Sequence, residues 1–374
     1  MKLLFKCLLV LLCMSFLMTG CSVDESVGSE SESVSLIESA VETLSETQTE
    51  KQTAKPSQSS PYANYWKYKM VDGVVVREVT IDTGKGGEDI EIVQLTDIHI
   101  NYCTAEDLQD PVLKSTYENR KWLANFAVKS NLQKCLNYAK DADQIVITGD
   151  ILDYLSKGTL AKTKEYIFDP YPSVMACLGN HEPVKKCQGK VAETASIDAR
   201  MKELEDNWIG DIYYQSRVLG NKVMVIAMDN GSLVDEKKQQ GVFWESQVEL
   251  LRADLATARA NGYAVLLFYH VPISTANTKY QKVQSTFIGD KNNDTFNFFT
   301  YGVGYSSTGP DKKIYELIVN NGDIIKGAFC GHLHSDFYTE IAAKTPDGGR
   351  TVIPQYVLCG VPYNAGHALK IIVK

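Results

Sequence analysis

The chain has 374 residues, of which 44% are hydrophobic, 10% aromatic and 22% charged, with a formal net charge of −8. That balance excludes a wholly disordered or fibrous chain, and the sign of the charge argues against a nucleic-acid-binding surface. The charge is uneven: residues 22–60 hold eight acidic and two basic side chains, which leaves about −4 for residues 61–374.

From the N-terminus, Lys2 and Lys6 precede an apolar run, Cys7–Met18, that ends in the small residues Thr19 and Gly20. A run this short does not span a hydrocarbon layer of about 30 Å, so residues 1–20 are expected to be a signal peptide. Met18-Thr19-Gly20-Cys21 resembles a bacterial lipobox, which implies lipidation of Cys21 and an exported protein anchored to a membrane. Ordinary cleavage and secretion is the alternative. No later segment has the roughly 18 uninterrupted apolar residues of a transmembrane candidate.

Residues 21–60 are expected to be a disordered tether behind the lipidated cysteine. Of residues 22–60, 15 are Ser or Thr and none is aromatic, too little apolar surface to offset chain entropy. A flexible coil of that length spans roughly 35 Å. The six cysteines beyond it (Cys103, Cys135, Cys177, Cys187, Cys330, Cys359) contain no C-x-x-C pair. Export permits disulfides without requiring them, and mostly free, buried thiols are expected.

Residues 61–374 read as one domain. β-branched runs at 76–81, 90–95, 145–148, 174–178, 222–228, 264–269, 326–330, 351–358 and 368–373 predict strands. Helical spacing predicts helices over Tyr117–Tyr138 and Phe243–Ala260. The order is that of an α/β protein, and the scarcity of helix near the C-terminus favours two packed mixed β-sheets flanked by helices over one open sheet.

Five of the six histidines fall within a set of five short polar sequences: Asp97-Ile98-His99, Gly149-Asp150-Ile151-Leu152-Asp153, Gly179-Asn180-His181-Glu182, His270-Val271-Pro272 and Gly331-His332-Leu333-His334. Each follows an apolar run, so each is expected at a strand C-terminus, where loops converge into a cleft. Carboxylate, imidazole and amide oxygen suit Mn, Zn or Fe.

This ordered set, D-x-H, G-D-x-x-D, G-N-H-E, H and G-H-x-H, resembles the calcineurin-like metallophosphoesterase superfamily. The resemblance implies an αββα sandwich and two divalent metal ions. It makes Asp97, His99, Asp150 and His334 the ligands of one ion, and Asp150, Asn180, His270 and His332 those of the other, with Asp150 bridging. His181 would be the catalytic histidine that faces a phosphate-ester substrate, with Asp153 and Glu182 as candidates to orient it. Purple acid phosphatases carry a tyrosine ligand three residues after the bridging aspartate; here that position is Asp153 and Tyr154 follows, which favours an all-divalent pair.

The expected function is therefore hydrolysis of phosphate monoesters or diesters outside the cytoplasm. A non-catalytic surface lipoprotein on the same fold is the alternative, and a superfamily exonuclease fits the acidic balance poorly. Lys114, Arg120 and Lys121 are candidates to reach a phosphate or to be solvated on an exposed helix. Residues 274–310, rich in Asn, Thr, Gly and aromatics (Phe296, Phe298, Phe299, Tyr301, Tyr305), are candidates to line the substrate cleft. His367, outside every motif, is expected to be structural.

Overall fold

The computed structural model describes residues 65, 67–187, 196–235, 240–275, 309–362 and 365–374. Residues 1–60, and with them the signal and tether readings, lie outside the described residues, as do 276–308 of the aromatic-rich stretch.

Two six-stranded mixed sheets face one another. In the first, β1 (Tyr68–Val71), β2 (Val74–Ile81), β3 (Ile90–Leu95), β4 (Gln144–Thr148), β5 (Met175–Cys177) and β14 (His367–Val373) lie in the order β1-β2-β14-β3-β4-β5. The second contains β6 (Tyr214–Leu219), β7 (Val223–Met228), β10 (Ala264–Tyr269), β11 (Ile325–Cys330), β12 (Phe337–Lys344) and β13 (Arg350–Val357), in the order β12-β13-β11-β10-β7-β6. A separate two-stranded ribbon pairs β8 (Leu233–Asp235) with β9 (Gln240–Val242). Six α-helices are described: α1 (Pro111–Arg120), α2 (Val128–Ala139), α3 (Lys157–Thr163), α4 (Ile197–Asn207), α5 (Glu245–Asn261) and α6 (Pro310–Val319).

Strand alternation assigns the layers. Val223, Val225 and Ala227 of β7 enter the core between the sheets with Ile92, Val146, Leu266 and Phe268. Met224, Ile226 and Met228 turn to the other face and pack with Leu251 and Leu255 of α5 and Ile314 and Ile318 of α6. Both faces of β7 are covered, so all six of its residues are buried, as expected of a central parallel strand. On the outer face of the first sheet, Leu132, Cys135 and Leu136 of α2 meet Val93, Leu95 and Ile147. Phe268, Phe329 and Tyr356 stack successively between the sheets, with ring centroids 4.9 and 5.3 Å apart. The observed layering is helix, sheet, sheet, helix.

One predicted helix is two. Over Tyr117–Tyr138, α1 ends at Arg120, a 3₁₀ segment follows over Lys121–Phe126, and the chain resets at Ala127, where φ is +51°. The reset lets α2 lay Leu132 and Leu136 on the sheet while Trp122 stays 40% exposed, its ring 4.8 Å from the Arg120 guanidinium carbon. All six described cysteines are free, four of them buried. Burial pushes the Cys135 thiol up to about 12. His367 is buried, with Nδ1 3.7 Å from Asp336, which also pairs with Arg77 at 2.8 Å. Among the described residues no helix is long and apolar enough to cross a membrane.

Candidate metal centre

The polar loops follow β3, β4 and β5 in the first sheet and β10 and β11 in the second. The edge on which they meet thus belongs to two sheets rather than one. Backbone hydrogen bonds zip the loops together beyond the strands: Asp97 N–H to Gly149 O (3.0 Å), His99 N–H to Asp150 O (2.9 Å) and Gly331 N–H to His270 O (3.1 Å). Gln94 Nε2 crosses between the sheets to Cys330 O at 2.9 Å.

Asp97, His99, Asp150, His332 and His334 all have φ between +48° and +71°. Side-chain-bearing residues seldom adopt this region, and such conformations collect at functional sites. Each pair spaced by one residue, Asp97/His99 and His332/His334, is thereby folded inward around a buried Ile98 or Leu333. Gly331 is required by close approach, since a Cβ there would stand 1.9 Å from Thr96 Oγ1 and 2.3 Å from Asp97 Oδ2.

The first group comprises Asp97, His99, Asp150 and His334. His334 Nε2 lies 3.1 Å from both Asp97 Oδ1 and His99 Nε2, and His99 Nε2 is 3.8 Å from Asp150 Oδ2. The second comprises Asp150, His270 and His332. His270 Nε2 is 3.3 Å from Asp150 Oδ2, 3.3 Å from His332 Nδ1 and 3.2 Å from Asn180 Oδ1. Asp150 Oδ2 thus faces both groups, while its Oδ1 accepts the His181 backbone N–H at 2.9 Å. Asp97, His99, Asp150 and His270 form the buried floor; Asn180, His181, His332 and His334 are partly exposed at the mouth.

The chemistry of this donor set tests whether it suits cations. His270 Nδ1 donates to Thr148 O at 2.7 Å and His99 Nδ1 to Asp153 Oδ1 at 3.2 Å. With Nδ1 engaged in this way, each ring turns its Nε2 inward. There it meets carboxylate oxygens and another imidazole nitrogen, an assembly of acceptors that is stable only around positive charge. The buried groups bear the same pull: although burial opposes the charged imidazole, Asp150 brings His270 up to about 9. Burial raises the Asp97 carboxyl, and His334 and His270 outweigh it, to about 2. The residues present therefore fit two divalent cations.

His181 Nδ1 donates to Asp153 O at 2.8 Å, which points Nε2 toward Asp150 Oδ2, 3.9 Å away. Burial lowers its basicity, but Asp150, Cys187 and Asp153 hold it well above the usual imidazole range. His99, Asp153 and His181 also cluster, yet the Arg120 guanidinium already occupies the cation position there, with Nε 2.9 Å from Asp153 Oδ2.

One of the two orienting roles differs from that expected. Glu182 does not touch the His181 ring. Its carboxylate accepts backbone N–H groups from Gly179 (2.7 Å), Asp150 (3.1 Å), Ile151 (2.5 Å) and Leu152 (3.1 Å), and so braces two of the polar loops against each other. Burial and Asp150 push this carboxyl up to about 7, against those donors. Glu182→Ala would strand four buried donors at about 1–3 kcal/mol each. A loss of at least about 3 kcal/mol in the urea unfolding free energy of the metal-free protein is the expected result. Asp153 does orient His181, through its backbone oxygen at 2.8 Å, while its carboxylate accepts from His99 Nδ1 at 3.2 Å and stands 3.7 Å from His181 Nδ1. Arg120 is neither solvated nor at the mouth but buried on Asp153.

Tyr154 points away from the centre, its hydroxyl donating to Asn101 Oδ1 at 3.2 Å. Thr96, Thr148 and Asn230 were not singled out by sequence. Asn230 clamps Val271, donating to its carbonyl at 2.7 Å and accepting its N–H at 2.9 Å, and so fixes the turn after His270. Its signal was a sixth polar loop, Asp229-Asn230-Gly231, following the apolar run of β7.

The family model described as calcineurin-like phosphoesterase matches residues 90–336, a span that includes all five loops. Compared with curated proteins, the chain has no significant match. Among solved structures it is similar to a dimetal phosphatase from Danio rerio, at 11% identity and a TM-score of 0.42, covering 73% of this chain and 88% of that one. It is similar to PhoD at 9% identity and a TM-score of 0.41, covering 75% and 58% of the two chains. Purple acid phosphatase PPD1 from yellow lupin seeds aligns at 12% identity and a TM-score of 0.38, over 76% of this chain and 44% of that one. With the match extending over most of the described strands and every polar loop, the chain belongs to the calcineurin-like phosphoesterase family and is a phosphoesterase.

Proposed function

We propose that this protein hydrolyses phosphate monoesters or diesters at a binuclear centre, outside the cytoplasm, tethered to a membrane by a lipid on Cys21. One cation would be held by Asp97, His99, Asp150 and His334, the other by Asp150, Asn180, His270 and His332. The observation that carries this reading is the convergence of the His99 and His270 Nε2 atoms on Asp150 Oδ2, at 3.8 and 3.3 Å.

Two divalent cations, when bound by these residues, would supply Lewis acidity and lower the pKa of a bound water. The chain does the rest. Asp97 and Asp150 are the only carboxylates in the donor set, so with two dications the centre keeps a net charge of about +2, which favours an anionic ester. His181 Nε2, at the partly exposed mouth, donates a hydrogen bond to a phosphoryl oxygen or a proton to the leaving oxygen. Asp153 O holds the opposite ring nitrogen, so Nε2 is the one presented.

The test is a substrate panel. Full-length protein, stripped of metal and reloaded separately with Mn, Zn or Fe, is assayed on bis-nitrophenyl and mono-nitrophenyl phosphate. Turnover with at least one metal supports the proposal, and the preferred ester assigns diesterase or monoesterase action. Binding of metal without turnover of any ester would favour the non-catalytic lipoprotein. For location, the wild-type chain is expected in the membrane fraction and Cys21→Ser in the soluble exported fraction. Equal partition of the two would remove the anchor.

A further inference from the structure

Arg120 ends α1 with only 6% of its surface exposed. Its guanidinium grips Asp153 from the side, donating from Nε to both carboxylate oxygens at 3.1 and 2.9 Å and from Nη2 to Oδ1. Asp153 is itself fully buried. It also accepts from His99 Nδ1 at 3.2 Å and Asn101 Nδ2 at 2.9 Å, and its backbone oxygen accepts from His181 Nδ1 at 2.8 Å. One residue therefore orients both a floor histidine and the histidine at the mouth. Asn101 Nδ2 also reaches Arg120 O at 3.3 Å, which ties the end of α1 to the same cluster.

Asp153, like Asp97, Asp150 and Glu182, is a buried carboxylate near the centre. Without a partner it is a buried charge of the costly kind, free to turn from His99 toward the cations. A guanidinium answers this with charge and with parallel N–H donors in a fixed plane, which an ammonium cannot reproduce.

We infer that Arg120 is a positioning residue of the metal centre: by pinning the Asp153 carboxylate, it holds the His99 ring with Nε2 inward and steadies the His181 ring. This rests on the binuclear reading above, and it concerns a residue that approaches from a helix between the first two polar loops.

The test uses the full chain, stripped of metal and titrated with Co²⁺, whose visible absorption reports binding, followed by kcat and KM on bis-nitrophenyl phosphate. Arg120→Met is expected to weaken Co²⁺ binding about 10–100-fold and to lower kcat over a similar range, as loss of a ligand-orienting partner does. KM should stay within about twofold, and the Co²⁺ bound per chain at saturation should match wild type, whereas loss of folded protein would lower that ratio. Arg120→Lys should recover part of each effect and remain at least about threefold below wild type. In an Asp153→Asn background the further change to Arg120→Met should cost less than about twofold, because the link it acts through is already cut.

Unchanged Co²⁺ affinity in folded Arg120→Met, or equal losses in the two backgrounds, would overturn the inference. Should Arg120→Met not fold, wild-type affinity in Arg120→Lys would do the same. If wild-type protein binds Co²⁺ but turns over no ester, the hydrolase reading fails while the binding arm still decides the role of Arg120.

Discussion

Asp150→Ala is expected to lose both cations and all turnover in one step. Asp150 Oδ2 lies 3.3 Å from His270 Nε2 and 3.8 Å from His99 Nε2, so the same atom completes each donor set. Its removal leaves Asp97 as the one carboxylate for two dications, with the donors around the second reduced to two imidazoles and an amide. Oδ1 also accepts the His181 N–H at 2.9 Å, so the loop bearing Asn180 loosens as well. Elemental analysis after dialysis should show the metal-to-protein ratio falling from about two to near zero, as expected when a shared ligand of a two-metal site is removed. Full occupancy of either position in the variant would contradict the bridging role.

His181→Ala is expected to separate binding from chemistry. The ring belongs to neither donor set of the proposed centre: Nδ1 is taken by Asp153 O at 2.8 Å, and Nε2 stands 3.9 Å from Asp150 Oδ2. Both cations should remain. Turnover should slow by on the order of 10²–10⁴, the usual contribution of a positioned acid. The effect should shrink toward the lower end with a nitrophenolate ester, whose leaving group needs little protonation, and grow with an alkyl ester. Equal slowing of both esters with loss of metal would instead place His181 among the ligands.

The candidate site was legible in the sequence because its chemistry sits in short local motifs. Asp97/His99 and His332/His334 each bring two donors within three residues, and each motif follows an apolar strand. The strands that carry them were equally plain: Ile90–Leu95 and Ala264–Tyr269 occur where their β-branched and apolar runs placed them. The strands that escaped notice are edges or polar. All but the last residue of β1 are exposed, and β6 carries three consecutive exposed residues, so neither shows an uninterrupted apolar run. A signal for β1 existed in the Asp72-Gly73 turn, where φ is +50° and +76° at the two residues, the geometry of a two-residue hairpin. Helical spacing across Tyr117–Tyr138 could not reveal the reset at Ala127, because Trp122 fits the apolar period and yet remains at the surface.

By itself, then, the amino-acid order determined the alternation of strands and helices, the donors and their grouping by motif, since periodicity and ligand chemistry are local properties. Tertiary structure alone decided which sheet each loop came from, that Glu182 ties backbone N–H groups of two loops rather than a ring, and that Arg120 turns inward to Asp153. Those partners are up to 33 residues apart. A charged side chain near the end of a helix carries no mark of which way it faces until the packing of the sheet beneath it removes one of the two choices.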